Sequence, residues 1–255
     1  MTISLDFLPQ TVFAYFLIFA RCGALTMSLP GIGDAVVPAR IRLVLALALS
    51  LVLYPLVSKA LPDVPGTLSA MIGAVLREVI VGLAIGFAVR LIVSGLQFAA
   101  TVIAFQTGLA FAQSVDPALG VQNTLFGTFL SMLAVTLIFA TDLHHLMLRA
   151  VHDSYILFQP GGAFLPGDFA QVSLRTIADA FRVALQISAP FVVFGLVFYL
   201  GVGVLTRLIP QVQVFFLAMP ANILLGFLLF ALLLGTIVTW YMRYFSDAMS
   251  PYLAG

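Results

Sequence analysis

Three histidines and two aspartates crowd the stretch "TDLHHLMLRAVHDSY", residues 141–155. On a helix, Asp142 and His145 are three residues apart and His145 and His152 are seven apart, so the three share a face. His144 adds a further ring. Imidazoles beside a carboxylate are the donors of a transition-metal site and the members of a proton relay. The chain offers no second cluster of such residues to complete a metal shell, and it lacks His-Glu-x-x-His. The sequence reading is therefore a helix end at the water boundary, with no metal and no cofactor expected.

Asp34 stands in "GIGD", a stretch similar to the Gly-x-Gly-Asp of intramembrane aspartyl proteases. That chemistry needs two carboxylates close enough to share a proton, and Asp142 is the available partner. Asp34, however, lies between Pro30 and Pro38, where glycine and proline read as turn chemistry. There is no Walker A loop, so ATP hydrolysis by that route is excluded. The single cysteine, Cys22, forms no internal disulfide framework. No enzymatic activity is expected.

These residues sit in a chain of unusual composition: 62% hydrophobic and 8% charged over 255 residues, against about a quarter charged in soluble domains. An integral membrane protein is the class implied. The net charge of +1 gives no basic surface for nucleic acid. Apolar runs cover about 11–29, 41–58, 68–104, 125–140 (continuing through 141–155), the stretch after Arg182 to 208, and 215–241. They are continuously apolar rather than alternating, which favours helices over a transmembrane barrel. The first ten residues lack a basic n-region, so the first run is expected to stay in the chain.

Charges inside apolar runs are costly and face protein or water. Arg21, Arg77 and Arg90 are such charges, and Glu78 is the only glutamate. Arg77, Glu78 and Arg90 are read as inter-subunit or buried charges. With only Glu78 near in sequence, the arginines are expected to be satisfied by other subunits or by a water-filled lumen. Gly82 and Gly86 form a Gly-x-x-x-Gly spacing that lets helices approach closely.

Several motifs together resemble the FliR family, the R-type export-gate subunit of the flagellar type III secretion apparatus. "LPGIGDAVVPARIRLVLALAL" is similar to the family's first loop and second helix, and "REVIVGLAIGFAVR" to its third-helix pattern. "GLAFAQSVDP" resembles its central loop, "DLHHLMLRAVHDSY" the helix end that follows, and "RLIPQVQVFFLAMPANILLGF" its C-terminal hairpin. The hairpin commonly has Asn at the position of Gln213, and the helix end commonly has Gly at the position of Leu143. The His pair and the "VDP" loop look more like the flagellar branch than the related virulence injectisomes.

The resemblance implies an all-α, polytopic protein of long, bent hydrophobic helices. Residues 1–170 would be similar to P-type gate subunits and residues 171–255, a hairpin turning at 208–214, to Q-type subunits. Such a chain joins FliP-like and FliQ-like subunits in a pore through which unfolded flagellar proteins cross the bacterial inner membrane, within the basal body. FlhB-like switch and FlhA-like export components are the further partners. Residues 105–122 are read as a plug in the lumen, with Phe105, Gln106, Phe111, Val115, Asp116 and Pro117 as gating residues, because irregular backbone at membrane depth needs protein or water around it. At the hairpin tip, Pro210 is expected to end one helix. Arg207 is expected to favour that helix's negative end, and Gln211 and Gln213 to offer amides to a cytoplasmic partner. A secondary transporter is the competing class. It should show matched helix breaks in two similar halves, and the breaks at 105–124 and 208–214 are unalike.

Overall fold

A computed structural model of the chain describes residues 7–110, 125–160, 166–209 and 213–254. Among these the fold is all-α. The helices are α1 (Phe7–Ser28), α2 (Ala39–Val57), α3 (Leu68–Gln106), α4 (Leu125–Ala140), α5 (His144–Leu157), α6 (Pro166–Leu208) and α7 (Val214–Met249), with short 3-10 turns at Ser58–Ala60 and Ser250–Tyr252.

Proline and glycine set most of the boundaries. α1 stops just short of Pro30, and α2 starts directly after Pro38. α6 begins on Pro166, where a missing N–H costs nothing because the first helical donors are unpaired anyway. α6 ends two residues before Pro210. α7 starts after Gln213, whose carbonyl accepts from Phe216 and Leu217 N–H. Between α4 and α5 the axis turns by 74°, and Asp142 takes a positive φ of 59°.

Three sequence expectations change. The fourth apolar run does not continue through residues 141–155, because the left-handed backbone at Asp142 cannot belong to a helix. The fifth apolar run belongs to α6, which starts at Pro166 and not after Arg182. Residues 166–182 are amphipathic, and a search for apolar runs passes over such a segment. Phe105 and Gln106 belong to the last turn of α3; the irregular backbone begins after them, at Thr107 and Gly108 (φ 75°).

Five helices are long and apolar enough to cross a membrane, or six if α4 and α5 form one bent span. At 1.5 Å per residue, α3, α6 and α7 measure about 58, 65 and 54 Å, while a hydrocarbon core is roughly 30 Å thick. Each therefore tilts, bends or extends beyond the bilayer. Pro190 in α6 and Pro220 in α7 each remove one helix hydrogen bond and provide a place to bend.

The chain divides into two compact units: Met1–Leu91 with Phe139–Thr176 and Ser246–Gly255, and Ile92–Ile138 with Ile177–Phe245. In the first unit α1 packs on α2 and, through Gly82 and Gly86, on α3. The second unit has an apolar core in which Leu96, Ile103, Phe126, Leu130, Phe191 and Phe230 are buried. There Phe126 and Phe230 lie 4.7 Å apart, centroid to centroid.

Candidate functional site

In the first unit the polar centre is Arg21. Its place on α1 leaves it fully buried, where an unpaired guanidinium is not tolerated. Nε pairs with Glu78 Oε2 at 2.6 Å. Nη1 donates to the carbonyl and hydroxyl of Ser154 at 2.9 and 3.1 Å, and Nη2 to the Phe158 carbonyl at 3.0 Å. The guanidinium carbon lies 4.0 Å from the centroid of the Tyr155 ring. The Phe158 and Ser154 carbonyls belong to the C-terminal end of α5, whose partial negative charge suits a cation. One side chain thus joins α1, α3 and α5.

Close approach makes this geometry possible. A Cβ added to Gly82 would strike the Arg21 carbonyl oxygen and sit 3.0 Å from Ala24 Cβ; one added to Gly86 would overlap Ser28 Cβ. Glycine at these two α3 positions is what brings Glu78 within reach of Arg21.

For Arg21 the expectation of partners outside the chain is therefore corrected. Arg21 takes Glu78, Arg77 Nη2 donates to the Gln159 carbonyl at 3.1 Å, and Arg90 pairs with Asp34 at 3.0 Å. Asp34 also accepts from Gly31 N at 2.9 Å, so it works in its turn, and Asp142 pairs with His145 instead. Partners 56 to 137 residues away along the chain cannot be found by scanning neighbours. Arg77 and Glu78 point apart and also line a cavity of about 240 Å³ with Leu17, Pro62, Gly73 and Ala74.

His145 and His152, seven apart on α5, share a face as expected, whereas Asp142 stands in the break before that helix and reaches His145 from there, at 3.9 Å. His152 turns to the nearly buried Asp153 (2.9 Å), which also holds Arg149 (3.4 Å) and Ala254 N (3.0 Å). Asp142, His144 and His145 cluster at the α4–α5 break.

In the second unit the polar feature is an amide. Asn222 of α7, 2% exposed, donates Nδ2 to the Gln106 carbonyl and to Tyr199 Oη, both at 3.3 Å. Gly195 makes room for the Gln106 side chain and Gly226 for Thr107. Asn222 thereby fixes the end of α3 where the backbone leaves the helix. Sequence reading missed it, although a single amide in 36 residues of apolar α7 was a usable signal, since a lone polar group in such a helix needs a partner. Phe105 is two-thirds exposed at the same helix end. Phe111, Val115, Asp116 and Pro117 lie outside the described residues, as do Pro210 and Gln211. Arg207 occupies the last turn of α6, and Gln213 is exposed.

The outer faces of α6 and α7 are mostly uncovered: 22% and 17% of their most apolar windows are buried, against 56% for α3. Leu196, Leu200, Val204, Leu224, Leu228 and Leu232 are among the exposed residues.

The sequence matches the family described as bacterial export proteins, family 1, over residues 12–248. The flagellar biosynthetic protein FliR of Caulobacter vibrioides is 44% identical over 234 residues, 91% of this chain and 93% of its own length. That of Bacillus subtilis is 28% identical, over 91% of this chain and 90% of its own length. The Yop proteins translocation protein T of Yersinia pestis is 24% identical, over 84% and 83%.

Proposed function

The chain belongs to the FliR family of bacterial export proteins and is a type III export component of the inner membrane; we propose that it is a structural, pore-forming subunit of the flagellar export gate. In this reading it sits in the basal body, assembles with FliP-like and FliQ-like subunits, and passes unfolded flagellar proteins across the membrane. FlhB-like and FlhA-like components are its further partners. Residues 1–170 serve as the P-like part and 171–255 as the Q-like hairpin.

The observation that carries the reading is the flagellar match along nearly the whole chain. The exposed apolar faces of α6 and α7 agree with it: in an assembly they are covered by neighbouring helices or lipid. A virulence-injectisome role is the second reading, and the 44% identity to the Caulobacter flagellar protein, against 24% to the Yersinia protein, stands against it.

The gate reading assigns roles to the loop and the hairpin tip. Residues 105–122 act as the plug, Phe111 and Val115 closing the lumen by dewetting it. Arg207, Pro210, Gln211 and Gln213 form the cytoplasmic contact for the FlhB-like subunit. Removing residues 110–118 leaves assembly intact and makes the closed gate leak ions. Gln211→Ala with Gln213→Ala spares assembly and weakens recovery of the FlhB-like subunit. The deciding experiment is purification from mild detergent beside a motility and export assay in a strain lacking the native gene. Copurifying FliP-like and FliQ-like subunits and restored export support the gate. A lone solute-binding oligomer sinks it.

A further inference from the structure

The break between α4 and α5 gathers three metal-binding side chains that a continuous helix would have spread. Asp142, His144 and His145 each bring a donor atom within 4.8 Å of the others. Asp142 Oδ1 and His145 Nδ1 are 3.9 Å apart, and the two imidazole centroids 4.2 Å. Two donors on one tetrahedral zinc ion, with bonds near 2.1 Å, lie roughly 3.4 Å apart. Side-chain rotation covers that difference.

The surroundings point the same way. The His144 ring stacks on Phe139 of α4, 5.2 Å between centroids and 25° between planes, so its backbone starts one arm of the bend and its ring rests on the other. His144 Nδ1 is buried and meets no hydrogen-bond partner among the described residues. Asp142 holds φ 59°, a conformation that aspartate and asparagine adopt more readily than most residues. The nearest cation on α5, Arg149, is engaged by Asp153 and the Ala254 carbonyl. Imidazole donors select zinc, cobalt, nickel or copper over magnesium and calcium, which prefer all-oxygen shells.

We propose that Asp142, His144 and His145 form a divalent transition-metal site at the α4–α5 bend, and that the bound ion ties the residue in the break to the first turn of α5. Asp142 and His145 are exposed, which leaves the remaining coordination positions open to solvent or to an outside ligand. A continuous-helix reading hides the site because it groups Asp142 with His152 and leaves His144 on another face.

The test uses the full-length chain, purified in mild detergent through a histidine-free tag with whatever subunits accompany it, stripped with chelator and titrated with Co2+ and then Zn2+ alone. The wild type is expected to take up one more equivalent of Co2+ per copy than His144→Gln with His145→Gln, with a visible nitrogen–oxygen ligand-field spectrum that Zn2+ abolishes. Asp142→Asn keeps a residue suited to the positive φ and removes the charge. It should weaken Co2+ binding by at least the roughly tenfold that loss of a mere outer-sphere partner costs. Equal uptake by wild type and the double histidine variant overturns the site. If that variant does not fold, unchanged affinity in Asp142→Asn overturns it.

Discussion

The two compact units solve one problem in opposite ways. The first carries a charge at its centre: Arg21 and Glu78 are 0% and 2% exposed and are saturated by a carboxylate, a hydroxyl, two carbonyls and a tyrosine face. The second buries no charge among its described residues. Asp179, Arg182, Arg207 and Arg243 all reach its surface, and its core is aromatic and aliphatic with Asn222 as a polar pin. A buried ion pair adds little net stability over a well-packed apolar replacement, yet breaking it is severe. The first unit should therefore depend steeply on single residues, and the second should degrade gradually.

The largest expected effect is in the first unit. Glu78→Ala leaves Arg21 buried and uncompensated, a loss of about 3–5 kcal/mol, read as a collapse in recovered protein and in thermal midpoint in detergent. Replacing both partners, Arg21→Met with Glu78→Leu, should recover only part of it, because the Ser154 and Phe158 carbonyls lose their donors too. Next is Gly82→Leu. Forcing a side chain against the Arg21 carbonyl overpacks the α1–α3 contact, at about 1–3 kcal/mol or more, while Gly201→Leu, with open space around it, should be near neutral. In the second unit Asn222→Ala removes two donated bonds, for about 1–3 kcal/mol. Its distinguishing sign is faster hydrogen exchange at the end of α3 with the rest of the unit unchanged. Smallest is Arg90→Ala. Its pair with Asp34 is half exposed, so under about 1 kcal/mol is expected. If Asn222→Ala costs more than Glu78→Ala in the same melt, the contrast between the units is wrong.

The sequence made some of this contrast readable. Long apolar runs announced helices, prolines marked most of their ends, and the Gly82–Gly86 spacing points to a close helix approach without naming α1 as the partner. Arg21 advertised a buried charge but not its solution, because Glu78 is 57 residues away and Ser154 is 133. Pairing at that range is decided by packing, which periodicity does not encode. The bend at Asp142 was hidden for another reason: aspartate tolerates a positive φ without requiring it, so its presence alone does not mark a break. The amphipathic start of α6 was lost because hydropathy reads lipid-facing length and not helix length.

Arg21 also has a consequence in time. Chains are made at about 5–20 residues per second, so Glu78 follows Arg21 by roughly 3 to 11 s and Ser154 by roughly 7 to 27 s. During that interval α1 holds a guanidinium without its native acceptors in or beside the bilayer. The newborn chain must shelter that charge, in the insertion machinery or at the membrane surface, until α5 is delivered. Slowing synthesis between codons 79 and 154 should therefore raise the share of chains taken by membrane proteases, while an equal delay after codon 160 should not.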